Sequence, residues 1–268
     1  MSSLKLIEIS ATNLPDAWHQ CVFAVIATDD DSKELVNARK RLVNQGSYEG
    51  EYRLEFDYIT VQVKHPDARP LLPEIPPHLG IPNPVESMDY AERYCTRYLM
   101  SDIKENDEQY TYGERITSGL LQPIAHIAKD HTFLDGFEGA IVNQMEQVIN
   151  RYKKHGPGNN QLIMQVGQPA DIMLKDPPCL RHIDTRIEDE KLHFIFYFRS
   201  WDLWSGFPAN MAAIQLMKEY MASEIGVEDG EIICSSKGLH LYGYTWEIAG
   251  KRRGITEKEM QLLLKELK

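Results

Sequence analysis

Hydrophobic and polar residues alternate in several short segments of the chain, as they do in strands that bury one face. The alternation predicts a strand over residues 4–10 and a longer one over residues 53–66. Five further strand-like segments follow in the second half: residues 161–166, 180–187, 191–200, 230–236 and 239–246. Several of them follow one another too closely for a crossover helix, which favours antiparallel or mixed pairing.

Helical periodicity separates these strands. It predicts helices over residues 14–28, 85–100, 136–156, 208–226 and 256–268. The segment 208–226 is apolar on most faces, which indicates a helix buried in the core, and Thr256 is placed to cap the last helix. Residues 69–84 are rich in proline and are expected to form an irregular connection. We therefore predict an α+β fold over residues 1–268, a single domain with a large mixed or antiparallel sheet flanked by helices.

Composition narrows the class of protein. The 268 residues are 43% hydrophobic and 26% charged, as in a folded protein, and the net charge of −11 argues against binding to a nucleic-acid backbone. This net charge does not exclude one nucleotide bound in a local basic pocket. The first residues lack a secretory signal, and no apolar run approaches the ~20 residues that span a membrane. Four cysteines without a CxxC pair predict no metal site and reduced thiols in the cytoplasm.

Cys179 is the first candidate for chemistry. It follows Pro177 and Pro178, which favour a rigid turn, and positive charge from Arg181 and Arg199 would favour the reactive thiolate. A lone cysteine is more often a small buried residue. A cysteine hydrolase would need a partner such as His182, His193 or His240, and no protease-like signature surrounds the thiol. The residues alone leave these interpretations open.

A second group of candidates follows an apolar strand in residues 196–210. Arg199 and Ser200 suit a phosphate or a carboxylate, but Arg199 and Asp202 would equally form an internal ion pair. Asn210 has an amide that complements the edge of a uracil ring, or it caps the helix that follows.

Two further motifs carry weaker signals. His240 and Tyr242 alternate on a strand, so their side chains share one face, where they either hold a ligand hydroxyl or belong to the core. Tyr112 and Arg115 flank Gly113 in an isolated motif.

The order of these motifs resembles the thymidylate synthase family over roughly residues 110–247. Pro-Cys is followed by Arg-Ser-x-Asp, Gly-x-Pro-x-Asn and His-x-Tyr, and the segments DPPCLR, FRSWDLWSGFPAN and SSKGLHLYGY are most similar to its archaeal, methanogen-type branch. The resemblance implies a homodimer whose large sheets pack back to back, with residues 106–250 as the nucleotide-binding and catalytic core and residues 1–105 as a divergent part.

The resemblance also implies a reaction, the reductive methylation of dUMP to dTMP at C5. The methyl donor would be 5,10-methylene-tetrahydrofolate or methylene-tetrahydromethanopterin, without a metal. The resemblance implies Cys179 as the nucleophile that adds to C6, and Arg199 and Ser200 as contacts to the phosphate. It implies that Asn210 reads the uracil edge, and that His240 and Tyr242 contact the 3′-hydroxyl. Asp202 would contact the pterin, and Tyr112 would help to remove the C5 proton.

Departures from the family pattern lie mainly on the carrier side. The family's adjacent arginines, donated to the phosphate by the other subunit, correspond here to a segment with Asn159 and Asn160. Either other basic groups such as Arg151, Lys153 or Arg181 replace them, or phosphate binding is weaker. The family's phosphate loop, its glutamate-bearing helix and its apolar C-terminal tail are not recognisable. A pyrimidine nucleotide hydroxymethylase and a nucleotide-binding protein without turnover are therefore the alternatives.

Overall fold

The computed structural model describes residues 3–29, 34–106, 108–120 and 141–266. The strands, in chain order, are β1 (Leu6–Ala11), β2 (Ala38–Leu42), β3 (Tyr52–Phe56), β4 (Tyr58–Val63), β5 (Gly119–Leu120), β6 (Ile141–Val142), β7 (Ile163–Gln165), β8 (Leu180–Glu188), β9 (Lys191–Phe198), β10 (Trp201–Asp202), β11 (Glu228–Ser236) and β12 (Leu239–Tyr242). The helices are α1 (Leu14–Val25), α2 (Met88–Arg93), α3 (Tyr112–Thr117), α4 (Gln144–His155), α5 (Gly206–Ile225), α6 (Trp246–Arg253) and α7 (Glu257–Glu266).

A large mixed sheet forms the centre of the fold. Its six strands have the order β1-β4-β11-β9-β8-β7, in which β1 pairs parallel to β4 and β9 parallel to β11, while the other neighbours are antiparallel. A second, four-stranded sheet has the order β10-β12-β3-β2. The prediction of an α+β fold with a large mixed sheet flanked by helices is confirmed. The division of the chain at residue 105 stays a prediction.

The helix α5 lies in the core, as its apolar sequence predicts. It packs against β9 and β11, and most of its side chains are buried. Even Lys218 is fully buried on this helix, where its ammonium group forms an ion pair of 3.1 Å with Asp229. A buried charge without such a partner would be strongly destabilising.

The opposite face of the large sheet is less covered. Its strands alternate regularly between buried and exposed side chains. Large apolar side chains on this face are exposed, among them Leu6, Tyr58, Ile163 and Ile195.

The predicted strand over residues 53–66 is wrong as a single element, because the chain changes sheets at Asp57. β3 ends before this residue in the small sheet, and β4 begins after it in the large sheet. The buried Asp57 carboxylate accepts hydrogen bonds from Arg39 Nε at 2.9 Å, from the Lys5 N–H at 3.0 Å and from Arg41. These donors offset the cost of burying a charge at the bend.

Other boundaries also differ from the predictions. Residues 94–99 continue α2 as a π-helix. The predicted strand over residues 239–246 ends at Tyr242. The predicted helix over residues 136–156 begins outside the described residues, and its described part is helical only from Gln144 because residues 141–142 form a strand. Residues 267–268 of the last predicted helix also lie outside. Among the described residues, no helix is both long and apolar enough to cross a bilayer.

Candidate active site

Cys179 lies where β8 begins, held by hydrogen bonds of its own backbone and of the next residue. Its carbonyl oxygen accepts the N–H of Arg199 at 2.8 Å, and the N–H of Leu180 donates to the Tyr112 hydroxyl at 3.3 Å. The side chain is half-buried, and the thiol is free. Pro177 and Pro178 precede it, so a rigid turn feeds directly into the strand.

The arginines near the thiol do not produce the low pKa that the sequence led us to expect. Burial raises the pKa of Cys179, and Asp176 raises it further. Arg199, Arg53 and Arg181 lower it, Arg199 having the largest effect of the three, but burial outweighs them. The thiol is therefore protonated at neutral pH in the protein without ligands.

Arg199 holds the turn that precedes the cysteine. Its Nε lies 3.2 Å from the carbonyl oxygens of both Pro177 and Pro178, and its Nη2 lies 3.0 Å from Asp176 Oδ1. The internal ion pair considered for Arg199 thus exists, but its partner is Asp176 and not Asp202. Arg199 also lines a cavity together with Ser200.

This basic cavity has a volume of about 620 Å³. Five cationic side chains line it: Lys40, Arg41, Arg53, Arg199 and Lys237. Four of these were missed from the sequence, although three neighbouring cations occur in the segment ARKRL of β2. In a protein of net charge −11, so many cations around one cavity indicate a site for an anion.

The register of the small sheet places the basic residues beside the predicted sugar contacts. His240 lies opposite Glu55 and Tyr242 opposite Arg53 on neighbouring strands, so that each pair shares a face. Glu55 is buried, and its carboxylate forms ion pairs with Arg41, whose Nε lies 3.1 Å away, and with Arg53. Burial raises the pKa of Glu55, with the two arginines opposing that effect.

His240 presents one ring nitrogen without a partner. The ring is 1% exposed, and burial lowers its pKa to about 3, so it is neutral. Its Nδ1 lies 2.7 Å from the Gly238 carbonyl oxygen and must donate to it, which leaves Nε2 as an acceptor. Within the described residues Nε2 has no hydrogen-bond partner. It is therefore a buried acceptor whose hydrogen-bonding capacity is unused, with the Tyr242 ring edge-on at 4.5 Å.

Asp202 holds the start of α5. Its carboxylate accepts the N–H groups of Trp204 and Ser205 at 3.1 Å and of Gly206 at 3.0 Å. Burial raises its pKa, and these three hydrogen bonds oppose the shift. Asp202 thus satisfies backbone N–H groups at the start of α5. The sequence suggested this capping role for Asn210, as the alternative to reading a uracil edge.

Asn210 does not cap the helix. Its Oδ1 accepts the indole N–H of Trp201 at 2.9 Å. It also lines a second cavity of about 420 Å³, whose wall contains the rings of Tyr90 and Tyr94 and the carboxylate of Glu86.

Tyr112 belongs to a cluster of tyrosines beside the start of β8. It is buried, its ring lies edge-on to Tyr98 at 5.1 Å, and Tyr98 lies 4.9 Å from Tyr94. Burial, and secondly Cys179, raises the pKa of Tyr112 well above that of a free phenol. Burial likewise raises the pKa of Tyr94, which lines the second cavity. These phenols are neutral at pH 7.

Comparison with known proteins identifies the family. The family model described as thymidylate synthase matches residues 96–265. The chain belongs to the thymidylate synthase family. A provisionally named thymidylate synthase of Methanosarcina mazei is 29% identical over 157 residues, which are 59% of this chain and 63% of that protein. A relative with the same provisional name in Methanosarcina acetivorans is 27% identical over the same shares of both chains. The match thus spans about 63% of the length of these two relatives.

A bacterial relative matches a shorter segment. The thymidylate synthase of Listeria monocytogenes serotype 4a, strain HCC23, is 33% identical over 106 residues, 39% of this chain and 33% of that protein.

The cations considered as replacements for the family's arginine pair, which the other subunit donates, do not line this chain's own basic cavity, so their role across a dimer stays a prediction. Arg181 contacts Asp171 at 3.0 Å and the Pro178 carbonyl oxygen at 3.3 Å, and Arg115 contacts Asp171 as well. Lys153 pairs with Glu224 at 3.4 Å near the end of α4, and Arg151 lies on the same helix. In this member of the thymidylate synthase family the cavity beside Ser200 is instead lined by cations of β2, β3 and Lys237.

The histidines considered for a cysteine hydrolase are used elsewhere. His193 Nδ1 accepts the N–H of Glu231 at 3.0 Å, and the His182 ring stacks on Tyr197 at 6.2 Å. Within the described residues no hydrogen bond joins a histidine ring to the Cys179 thiol. The geometry therefore lacks the thiol–imidazole pair of such hydrolases.

Proposed function

We propose that the protein catalyses the reductive methylation of dUMP to dTMP, with a methylene-tetrahydropterin as the methyl donor. The observation that carries the proposal is that Arg199, whose backbone N–H is bonded to the Cys179 carbonyl oxygen, lines the basic cavity together with Ser200. Asn210 and Tyr94 line the second, aromatic cavity. Two cavities of different chemistry suit a reaction between a nucleoside monophosphate and a ring-bearing carrier.

The nucleotide would bind through three groups of contacts. Its phosphate enters the basic cavity, where Arg199 and Ser200 are joined by Arg53 and Lys237 of the same chain. The deoxyribose hydroxyl donates to His240 Nε2, with Tyr242 beside it. The uracil edge faces Asn210, whose amide complements O4 and N3–H.

The chemistry begins when the Cys179 thiolate adds to C6, which makes C5 nucleophilic. Burial opposes ionisation of the thiol, so Arg199 is needed to stabilise the thiolate. The Asn210 amide stabilises the negative charge that develops at O4. C5 then attacks the methylene carbon of the carrier, and its proton leaves with help from Tyr112. The carrier is eliminated and transfers a hydride to the exocyclic methylene. It leaves oxidised, and the thiol is released.

The second cavity is the proposed site of the carrier. The rings of Tyr90 and Tyr94 suit stacking on a planar bicycle, and Glu86 suits a donor-rich pterin edge. The Asp202 carboxylate has acceptor sites that its three hydrogen bonds, to Trp204, Ser205 and Gly206, leave unused. Through these sites it would contact the pterin. Tetrahydrofolate and tetrahydromethanopterin both meet these requirements.

A homodimer remains part of the proposal. The exposed apolar side chains on the open face of the large sheet support packing of two such sheets. Sedimentation equilibrium tests the homodimer. A protein that is monomeric at micromolar concentration would rule the homodimer out.

Mass spectrometry of the nucleotide product tests the function directly. The protein is incubated with dUMP and each methylene carrier in turn, and Cys179→Ser serves as the control, which should bind dUMP and form no product. A dTMP mass with an oxidised carrier supports the proposal. A product heavier by one oxygen indicates a hydroxymethylase, and binding without a product indicates a nucleotide-binding protein without turnover. Full turnover by Cys179→Ser would remove Cys179 as the nucleophile.

A further inference from the structure

Trp201 fixes which way the Asn210 amide faces. Its indole N–H donates a hydrogen bond of 2.9 Å to Asn210 Oδ1. An indole nitrogen is only a donor, so the amide has to turn its oxygen towards Trp201. Rotating the amide by 180° would bring its NH₂ group against the indole N–H and leave a donor without an acceptor. The NH₂ group is thereby directed away from Trp201.

The indole itself has little freedom to turn away. Trp201 is 4% exposed, and its backbone N–H donates to the Gly238 carbonyl oxygen at 2.9 Å. Its ring stacks on Phe198 with 4.0 Å between centroids and an interplanar angle of 5°, and it packs on Phe207 at 4.6 Å. The orientation of the donor is thus set by strand pairing and by two aromatic neighbours, before any ligand binds.

We propose that Trp201 is a specificity-determining positioning residue, which selects uracil over cytosine by holding the Asn210 amide in one of its two orientations. In this orientation the NH₂ group donates to O4, and the second lone pair of Oδ1 accepts N3–H. Cytosine presents the reverse pattern, an amino group at C4 and an acceptor at N3. It would require the rotated amide, which Trp201 opposes. This inference rests on the proposed binding of dUMP.

Equilibrium binding of dUMP and dCMP to Trp201→Phe tests the inference, because phenylalanine keeps one aromatic ring in the stack and has no N–H donor, and the control variant makes the same reduction in size elsewhere. We expect the ratio of the two Kd values to move about tenfold towards dCMP, the loss of roughly one hydrogen bond. Trp246→Phe is the matched control. Trp246 is 7% exposed, and its indole N–H donates at 2.8 Å to the Leu241 carbonyl oxygen. The ratio should change less than about twofold in this control. A Trp201→Phe ratio equal to that of the wild type, or an equal shift in both variants, overturns the proposal.

Hydrogen exchange of the Trp201 indole proton, followed by NMR, tests the hydrogen bond without any nucleotide. The proton should exchange slowly in the wild type and at least about tenfold faster in Asn210→Leu, which offers no acceptor. Equal exchange rates overturn the proposal even where Trp201→Phe fails to fold. If the wild type binds neither nucleotide, the proposed function fails, while slow exchange would still establish the bond that orients the amide.

Discussion

Arg199 and Asp176 form an ion pair, with Nη2 3.0 Å from Oδ1, at the turn that leads into Cys179. The two residues act on the thiol in opposite directions, because Arg199 lowers its pKa and Asp176 raises it. The guanidinium is also held by the carbonyl oxygens of Pro177 and Pro178, so its position does not depend on Asp176 alone. The carboxylate can therefore be removed with the arginine left in place.

Asp176→Asn should lower the pKa of the Cys179 thiol. Removing a negative charge stabilises the thiolate, so the fraction ionised at a given pH rises. We expect faster alkylation of Cys179 by iodoacetamide at pH 7.5, followed by mass spectrometry of the peptide that contains it. Glu188→Gln, an exposed change at the far end of β8, is the control. An unchanged or slower rate in Asp176→Asn would contradict the prediction.

Lys237→Gln should weaken the binding of dUMP. Lys237 is exposed at the wall of the basic cavity, where a phosphate dianion would lose one charged partner. We expect the Kd for dUMP to rise about five- to tenfold at low salt, while deoxyuridine, which lacks the phosphate, binds unchanged. Calorimetry measures both. Lys191→Gln removes an exposed lysine that lies outside this cavity and should have no effect. Equal losses for the two ligands would place the phosphate elsewhere.

The sheet and its central helix were predictable because the local spacing of hydrophobic residues indicates which side chains are buried. Residues of β9 alternate throughout and those of β8 alternate from Ile183 onwards, and α5 is apolar on most faces. The break at Asp57 was not predicted, although the alternation changes phase there, from apolar residues at the even positions 54–58 to apolar residues at the odd positions 59–63. What the pattern does not record is that the distant Arg39, Arg41 and Lys5 make a buried carboxylate acceptable at the bend. Contacts between residues far apart in sequence decided the topology at that point.

The same distinction applies to the candidate site. Cys179, Arg199, Ser200 and Asn210 were singled out because their motifs are local. The cations of the basic cavity were missed, since Arg53 approaches Tyr242 only through the register of β3 against β12. The raised pKa of Cys179 was also missed, because it depends on burial and on charges that the fold brings near the thiol, which no local pattern records.

Asn210→Asp should shift the preference from dUMP towards dCMP. A carboxylate still accepts the Trp201 indole N–H, so the local structure has a partner, but it has no NH₂ group to offer O4. It accepts instead from the amino group of cytosine. We expect the Kd ratio of dUMP to dCMP to change about 100-fold or more, measured by calorimetry, since a site that loses a required donor discriminates strongly. Unchanged discrimination would remove Asn210 from the reading of the base.

His240→Gln should reduce the sensitivity of the fold to acid. The pKa of His240 is lowered to about 3 in the folded protein, against about 6.5 in an unfolded chain. Between these values the unfolded chain binds a proton that the folded protein does not, so the free energy of unfolding falls as the pH falls. From pH 7 to pH 4.5 this single residue accounts for about 2 kcal/mol of lost stability.

Urea unfolding at pH 7 and pH 4.5 measures this contribution. Glutamine keeps an NH₂ group for the Gly238 carbonyl oxygen and does not titrate, so His240→Gln should lose about 2 kcal/mol less than the wild type over this interval. His78→Gln, a change at an exposed histidine, should show the wild-type dependence. If His240→Gln and the wild type lose the same stability, His240 is protonated in the folded protein at pH 4.5, and burial does not lower its pKa.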